Sequence, residues 1–335
     1  MSVKGLVSDR AGALIKIGTA DYLEVPSMPD LFHFCQDIGK GMGSKIGRVR
    51  RRAKDKLLLE KDKESEFTKR TFKKADDIYN SYRQEMEEIN KTVHPFNEQN
   101  VWAKTEMIEE KLLLSFSLIN LYAQELGIEV EKKKKEKVLK QIKPISEGIE
   151  YWITATKLEL EELEEAGRIN KLEEEWLRLY AMPCTYWKIQ LRRTQAKERN
   201  RDLRTYYKQR VAVSEEKCRT EYLARKMSLE RVKYLLKLAD QIVITFQRSS
   251  SQVEGRNGYL SFINHAHRGI PKNRLKVLTV IHNYDIKRRD GTSPAQRLFD
   301  RKFPDLFEFL CENVTGFKEP RRRKSKPLSS SLVQP

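Results

Sequence analysis

From Lys45 to His94 the chain holds a single glycine, Gly47, and no proline. This scarcity of helix breakers constrains the fold more than any other feature, since glycine and proline are the residues that most often end a helix. The segment is densely charged, as is the whole chain, in which 34% of residues are Asp, Glu, Lys or Arg and 39% are hydrophobic. A balance of that kind favours long helices with one solvated face and one apolar stripe. The spacing predicts a helix from about Glu98 to Leu126 ended by Gly127. It also predicts an amphipathic hairpin over 149–180, with Trp152, Leu160, Trp176 and Leu177 on its stripe and its turn near Gly167. Pro183 then reads as a break. Tyr186 to Gln247 follows as one long or once-broken helix whose last turns, from Val232 to Phe246, enter the core.

The formal net charge is +18 and the pI about 9.6, so the expected partner is a polyanion, with nucleic acid ahead of a membrane surface. The chain carries no long apolar segment or lipidation motif, and its N-terminus has no apolar signal region. Cys35, Cys184, Cys218 and Cys311 form no CxxC pair, which argues against a zinc knuckle or disulfide framework and fits a reduced, cytoplasmic setting. Basic residues cluster at Arg48, Arg50, Arg51, Arg52, Lys54 and Lys56, and again at Arg192, Arg193, Lys197, Arg199, Arg201 and Arg204, the latter beside Tyr206 and Tyr207. The second cluster reads equally as a phosphate-tracking face and as a wet helix surface. Lys132 to Lys135, Lys137 and the glutamates at 159, 161, 162, 164 and 165 read as solvated helix surface. Gly39, Gly41, Gly43 and Gly47 read as a loop or as close helix contacts, and His33 as either a core histidine or a site residue.

Two short motifs carry the remaining signal. Residues 3–7 read as a strand ending at Ser8-Asp9, followed by a helix over 11–17 and a second strand over 22–25. The cluster Pro26-Ser-Met-Pro29-Asp30 then interrupts regular structure. Asp9 there suits a helix N-cap or a ligand at a strand's carboxyl end. In Arg248-Ser-Ser-Ser-Gln-Val-Glu254-Gly-Arg-Asn257, Ser251 and Glu254 have the spacing of a capping box, and Glu254, Asn257 and Ser261 share one helix face opposite Val253, Leu260 and Ile263. Further helices are expected over 275–286, after Pro294 and after Asp305, with an unfolded basic tail from Lys318.

The run RSSSQVEGRNGYLSFINHAHRG, with KVLTVIHNYDIKRRDGTSPAQRLF and FPDLFEFL after it, resembles the C-terminal part of bacterial insertion-sequence transposases of the DDE type. VSDRAGALIK with MPDLFHFCQDIGKGMGSKIGR is similar to the segment around the second acidic residue of that group. The resemblance implies a mainly α chain with a partial ribonuclease-H-like α/β core interrupted by a large all-helical insertion. Its parts would be a core segment at 1–36, a helical, coiled-coil-like insertion at 37–247, core-completing helices at 248–316 and a tail at 317–335. It implies metal-assisted strand cleavage and transfer on DNA, with Mg2+ held by carboxylates, Asp9 matching the second acidic residue and Glu254 the third. DNA contacts are expected at Arg248, Arg256, Asn257, Arg268 and Lys272. Eight residues precede Asp9, too few for the strands that bear the first acidic residue. The expectation is therefore a truncated or split-gene portion, inactive alone and partnered by an upstream-encoded half or by copies of itself. The alternative is a noncatalytic helical nucleic-acid-binding or scaffold protein in which Asp9 and Glu254 are only caps.

Overall fold

The computed structural model describes residues 6–8, 25–59, 66–194, 200–224, 226–248, 260–266, 269–287, 291–299 and 301–313. The described residues are mainly α. They divide between two compact units, Ser2–Val253 and, together with Met1, Glu254–Pro335.

In the first unit, β1 (Leu6–Ser8) pairs in parallel with β2 (Ser27–Pro29), with Val7 opposite Met28. The second strand falls within the Pro26–Asp30 cluster, where the prolines predict irregular structure. Two prolines are tolerable there because the strand is only three residues long and Pro29 lies at its end. Asp30 then caps α1 (Leu31–Ile38), its Oδ1 accepting from the backbone of Phe32 at 2.7 Å and of His33 at 3.3 Å. A π-helical turn over Gly39–Gly43 carries the helical path on into α2 (Ser44–Leu59). Gly43 is needed there, since a Cβ would collide with the Tyr82 hydroxyl of α3 (Glu66–Thr92).

Helices α3, α4 (Thr105–Glu125) and α5 (Lys132–Glu165) pack in sequence. In α4, Ile108, Leu112, Phe116, Ile119 and Ala123 recur at three- and four-residue steps and are buried, the periodicity of one apolar stripe. Gly127, at φ +67°, ends α4 with the paired backbone bonds of a Schellman turn, Ile128 N to Ala123 O at 2.9 Å and Gly127 N to Gln124 O at 2.8 Å. Gly167, at φ +65°, closes α5 in the same way. Pro144 lies inside α5 and forfeits one backbone bond, but Gln141, Ile142, Ile145 and Ile149 are buried around it and hold the helix together. Gly148 lets β2 come close, for a Cβ there would meet the Met28 Cβ at 2.6 Å.

After the Asn170–Glu173 capping box come α6 (Lys171–Trp176), a π-helical turn over Leu177–Ala181, α7 (Met182–Arg193), α8 (Arg201–Ala224) and α9 (Leu229–Val243). Pro183 does not break the chain. It lies just past the π-helical turn, with Ala181 still in helical conformation, so the helical path continues through it. The stretch expected as one helix or two holds parts of three, because Thr194 is extended, Lys226 adopts φ +52° and Ser228 caps α9. Glu173 grips Arg231 through two bonds of 2.6 Å, tying α6 to α9, and this hydrogen bond with Arg231 holds the Glu173 carboxyl below the usual range. Met28, Leu31 and Phe34 share one apolar core with Ile142, Ile145 and Trp152, so residues on both sides of position 37 belong to the same packed body.

In the second unit, residues 260–266 are helical, followed by α10 (Lys272–Val280) running into a π-helical turn at Ile281–Asp285. The Ser293–Gln296 box opens α11 (Pro294–Phe299) and Asp305 caps α12 (Leu306–Asn313). Neither α10 nor α12 buries a residue. Among the described residues no helix is long and apolar enough to cross a membrane.

Candidate nucleic-acid interface

Helix α2 turns Ile46 and Ala53 inward against α3 and leaves Arg48, Arg51 and Arg52 exposed. Arg50, between them, is engaged by Asp76 and lies over the Tyr79 ring at 4.7 Å, so it fastens α2 to α3. The exposed side of α2 faces the α4–α5 connection across an open cleft of about 790 Å3, lined by Lys45, Arg48 and Arg52 on one wall and by Glu129, Glu131 and Lys132 on the other. Ile128 and Val130 also line it and are almost fully buried. Lys45 Nζ donates to the Glu129 carbonyl at 2.7 Å and bridges the two walls.

Four basic and two acidic side chains line this cleft, an excess of two positive charges. Glu131 is answered locally. Lys134 sits 2.6 Å from it and, by that hydrogen bond first, holds its carboxyl below the usual range. Lys137 pairs with Asp37 at 2.8 Å. Arg48, Arg52 and Lys132 are thus presented together at an open mouth. Two basic runs remote in sequence, one on α2 and one at the start of α5, converge there.

Arg248, expected on a DNA-facing surface, points into the first unit instead. Its guanidinium donates to the Asn90 carbonyl at 2.9 Å and to the Tyr207 hydroxyl at 3.3 Å, and its own carbonyl accepts from Leu31 N at 2.9 Å. Beside it lies His94, buried, with Nδ1 at 2.5 Å from the Tyr186 hydroxyl and Nε2 at 3.2 Å from that of Tyr207 and 3.4 Å from Arg248. The donor-only guanidinium on the Nε2 side assigns the ring proton to Nδ1. Burial, and then the charge of Arg248, push the His94 pKa well below its ordinary value, so the ring is neutral. Burial raises the Tyr186 phenol and pushes the Cys35 thiol up to about 12. The group ties α1, α3, α7 and α8 together through hydrogen bonds among neutral side chains and one cation. Sequence reading missed it. The signals were His94 beside Pro95 and the aromatic pairs Tyr186-Trp187 and Tyr206-Tyr207.

Of the other predicted site residues, Lys272 is exposed in the first turn of α10. Asp9, Glu254, Arg256, Asn257 and Arg268 lie outside the described residues. Among the described residues no three His, Cys, Asp or Glu side chains gather as a metal's ligands would. In the second basic cluster Arg192 and Arg193 are exposed, but Tyr207 is fully buried and Tyr206 is half-buried with Arg210 over its ring at 5.4 Å. Those tyrosines pack the core and offer no stacking platform to a base.

Residues 177–326, less than half of the chain, match a family of unknown function (DUF6399). The match includes the 246–316 run on which the transposase resemblance rests. It brings no activity with it. No curated protein and no solved structure matches the chain.

Proposed function

We propose that the protein binds DNA through the cleft between α2 and the start of α5 and serves in DNA transposition as a DDE-type transposase or a component of one. The observation that carries the binding reading is the convergence of Arg48, Arg52 and Lys132 on one open cleft in a chain of net charge +18. Each phosphate seated there would release condensed counterions, which makes affinity fall steeply with salt. The transposition reading rests on the two motif runs. The parallel β1–β2 pair supports it further, because its connection, residues 9–26, has the length that a β-α-β crossover requires. Asp9 and Glu254 would hold Mg2+, which when bound would activate the attacking hydroxyl and stabilise the leaving oxygen.

Fluorescence anisotropy with a DNA duplex, repeated across salt concentrations, tests the binding. Each lost phosphate contact removes about 0.9 from the slope of log K against log salt, so Arg48→Ala/Arg52→Ala lowers it by about 1.8. A slope equal to that of the unmodified protein rejects the cleft. A strand-transfer or nicking assay with Mg2+ tests the chemistry. Any cleavage or transfer detected, with the chain alone or with a partner, is expected to be lost in Asp9→Ala and in Glu254→Ala, and activity that survives both rejects the ligand assignment.

A second reading, a noncatalytic helical DNA-binding protein, is favoured by the scarcity of sheet, since β1 and β2 form the one sheet among the described residues. Salt-dependent binding without metal-dependent cleavage would select it.

A further inference from the structure

Cys184 on α7 and Cys218 on α8 are both buried and line one cleft between the packed pair of helices. Helical spacing builds the surroundings. Lys188 lies one turn beyond Cys184, Glu215 lies one turn before Cys218, and the two charged groups meet at 2.8 Å. Lys188 lines the same cleft as Cys184. Both thiols line a cleft of about 570 Å3 that includes Trp176 and Val232. The cysteines are only 3% and 8% exposed, so a reagent reaches them through that cleft. Lys188, one helical turn from Cys184 and lining the same cleft, favours the thiolate at Cys184, which makes Cys184 the attacking sulfur and leaves Cys218 to close the bridge.

We propose that Cys184 and Cys218 form a dithiol site that reduces a small hydroperoxide and closes to a disulfide between α7 and α8. The Cys184 thiolate attacks the terminal peroxide oxygen and the O–O bond breaks. The leaving oxygen takes up a proton and departs as water or an alcohol, and Cys184 becomes a sulfenic acid. The Cys218 sulfur then attacks the Cys184 sulfur, the S–O bond breaks, and the hydroxide leaves as water with the Cys218 proton. Two thiols lose two electrons and two protons, and the peroxide gains both pairs. Lys188 and Glu215 remain an ion pair throughout. The proposal does not depend on DNA binding.

Treatment of the full chain with hydrogen peroxide, alkylation of the remaining thiols and mapping of the digest by mass spectrometry tests it. The expected product is an intrachain Cys184–Cys218 bridge that dithiothreitol reopens. With Cys218→Ser, dimedone should trap a sulfenic acid on Cys184. With Cys184→Ser, Cys218 should stay alkylatable. Lys188→Met should slow bridging by about threefold for each pKa unit the thiol rises, since a tenfold loss of thiolate is partly offset by higher nucleophilicity. Circular dichroism checks that the variants keep their helices, and the mapping of the unmodified chain decides the matter without them. Cys184 and Cys218 left reduced while Cys311 is oxidised, or dimedone trapped on Cys218 and not on Cys184, overturns the proposal.

Discussion

The first unit and the second draw on similar amphipathic helices and treat their apolar residues differently. Along α4 the residues at three- and four-residue steps are sealed, Leu112 and Ile119 at 0% exposure. Along α10 and α12, side chains of the same kinds stay open, among them Val277, Phe307 and Phe309. The first unit closes over aromatic contacts, with Phe96 stacked on Trp102 at 4.7 Å and Trp152 against Phe246 at 5.2 Å. The second has an open apolar cavity of about 300 Å3 lined by Val280, Tyr284, Phe303, Pro304, Leu306 and Phe309. A helical period therefore states which residues share a stripe, and it is silent on whether the stripe finds a cover.

That difference can be broken most forcibly at Trp187. The ring is fully buried and its Nε1–H donates to Asn100 Oδ1 at 3.0 Å. Trp187→Ala should destabilise the first unit by about 3–5 kcal/mol, whereas Phe309→Ala, at a side chain 47% exposed, should cost about 1 kcal/mol or less. Urea denaturation measures both. All four tryptophans, at 102, 152, 176 and 187, precede residue 253, so indole fluorescence follows the first unit while far-ultraviolet circular dichroism follows both. Two transitions that fail to coincide would show the units unfolding separately. Equal losses for the two variants would erase the contrast.

A pH titration sharpens the same contrast at the buried polar group. His94 has a folded pKa well below its unfolded one, through burial and the charge of Arg248. Below about pH 6.5 the unfolded chain therefore binds a proton that the folded chain does not, and stability falls with falling pH by up to about 1.4 kcal/mol per unit. Above that pH this contribution is flat. The groups facing His94 are Arg248, Tyr186 and Tyr207, and burial moves the Tyr186 phenol further from this range. Thermal denaturation of the unmodified protein and His94→Gln between pH 5 and 8 checks it. The variant should lose the acid-side slope, and an unchanged slope would mean that His94 is not its source.

Local rules made much of the fold legible. Gly127 and Gly167 stood where helices had to end, and Asp305 and Pro294 where helices had to begin. What stayed hidden depended on neighbours. Pro183 looked like a break because its cost is local, while the π-helical turn that carries the helical path through it is set by the surroundings. The stops at Thr194 and Lys226 carry neither glycine nor proline. Arg248 was expected on DNA from the motif run that it opens, yet the acceptors that draw it inward come from Asn90 and Tyr207, distant in sequence. The basic cleft was likewise divided between two runs, of which Lys132 to Lys137 looked like ordinary wet helix, until the fold set Arg48 and Lys132 on facing walls. Cys184 and Cys218 lacked the short spacing that marks a thiol pair, because two packed helices bring them to one cleft.

The smallest expected effect lies on the open face of α12. Phe307 is 73% exposed, so in Phe307→Ser little apolar surface is returned to water and no cavity forms. The loss of the ring should change the unfolding free energy by no more than about 0.5 kcal/mol. Serine is a poorer helix former than a long straight side chain but close to phenylalanine, which keeps the propensity change near zero as well. Far-ultraviolet circular dichroism during urea denaturation at low protein concentration measures it. A loss several times larger would mean that the ring is covered in solution, and the division into one sealed and one open unit would have to be redrawn at that helix.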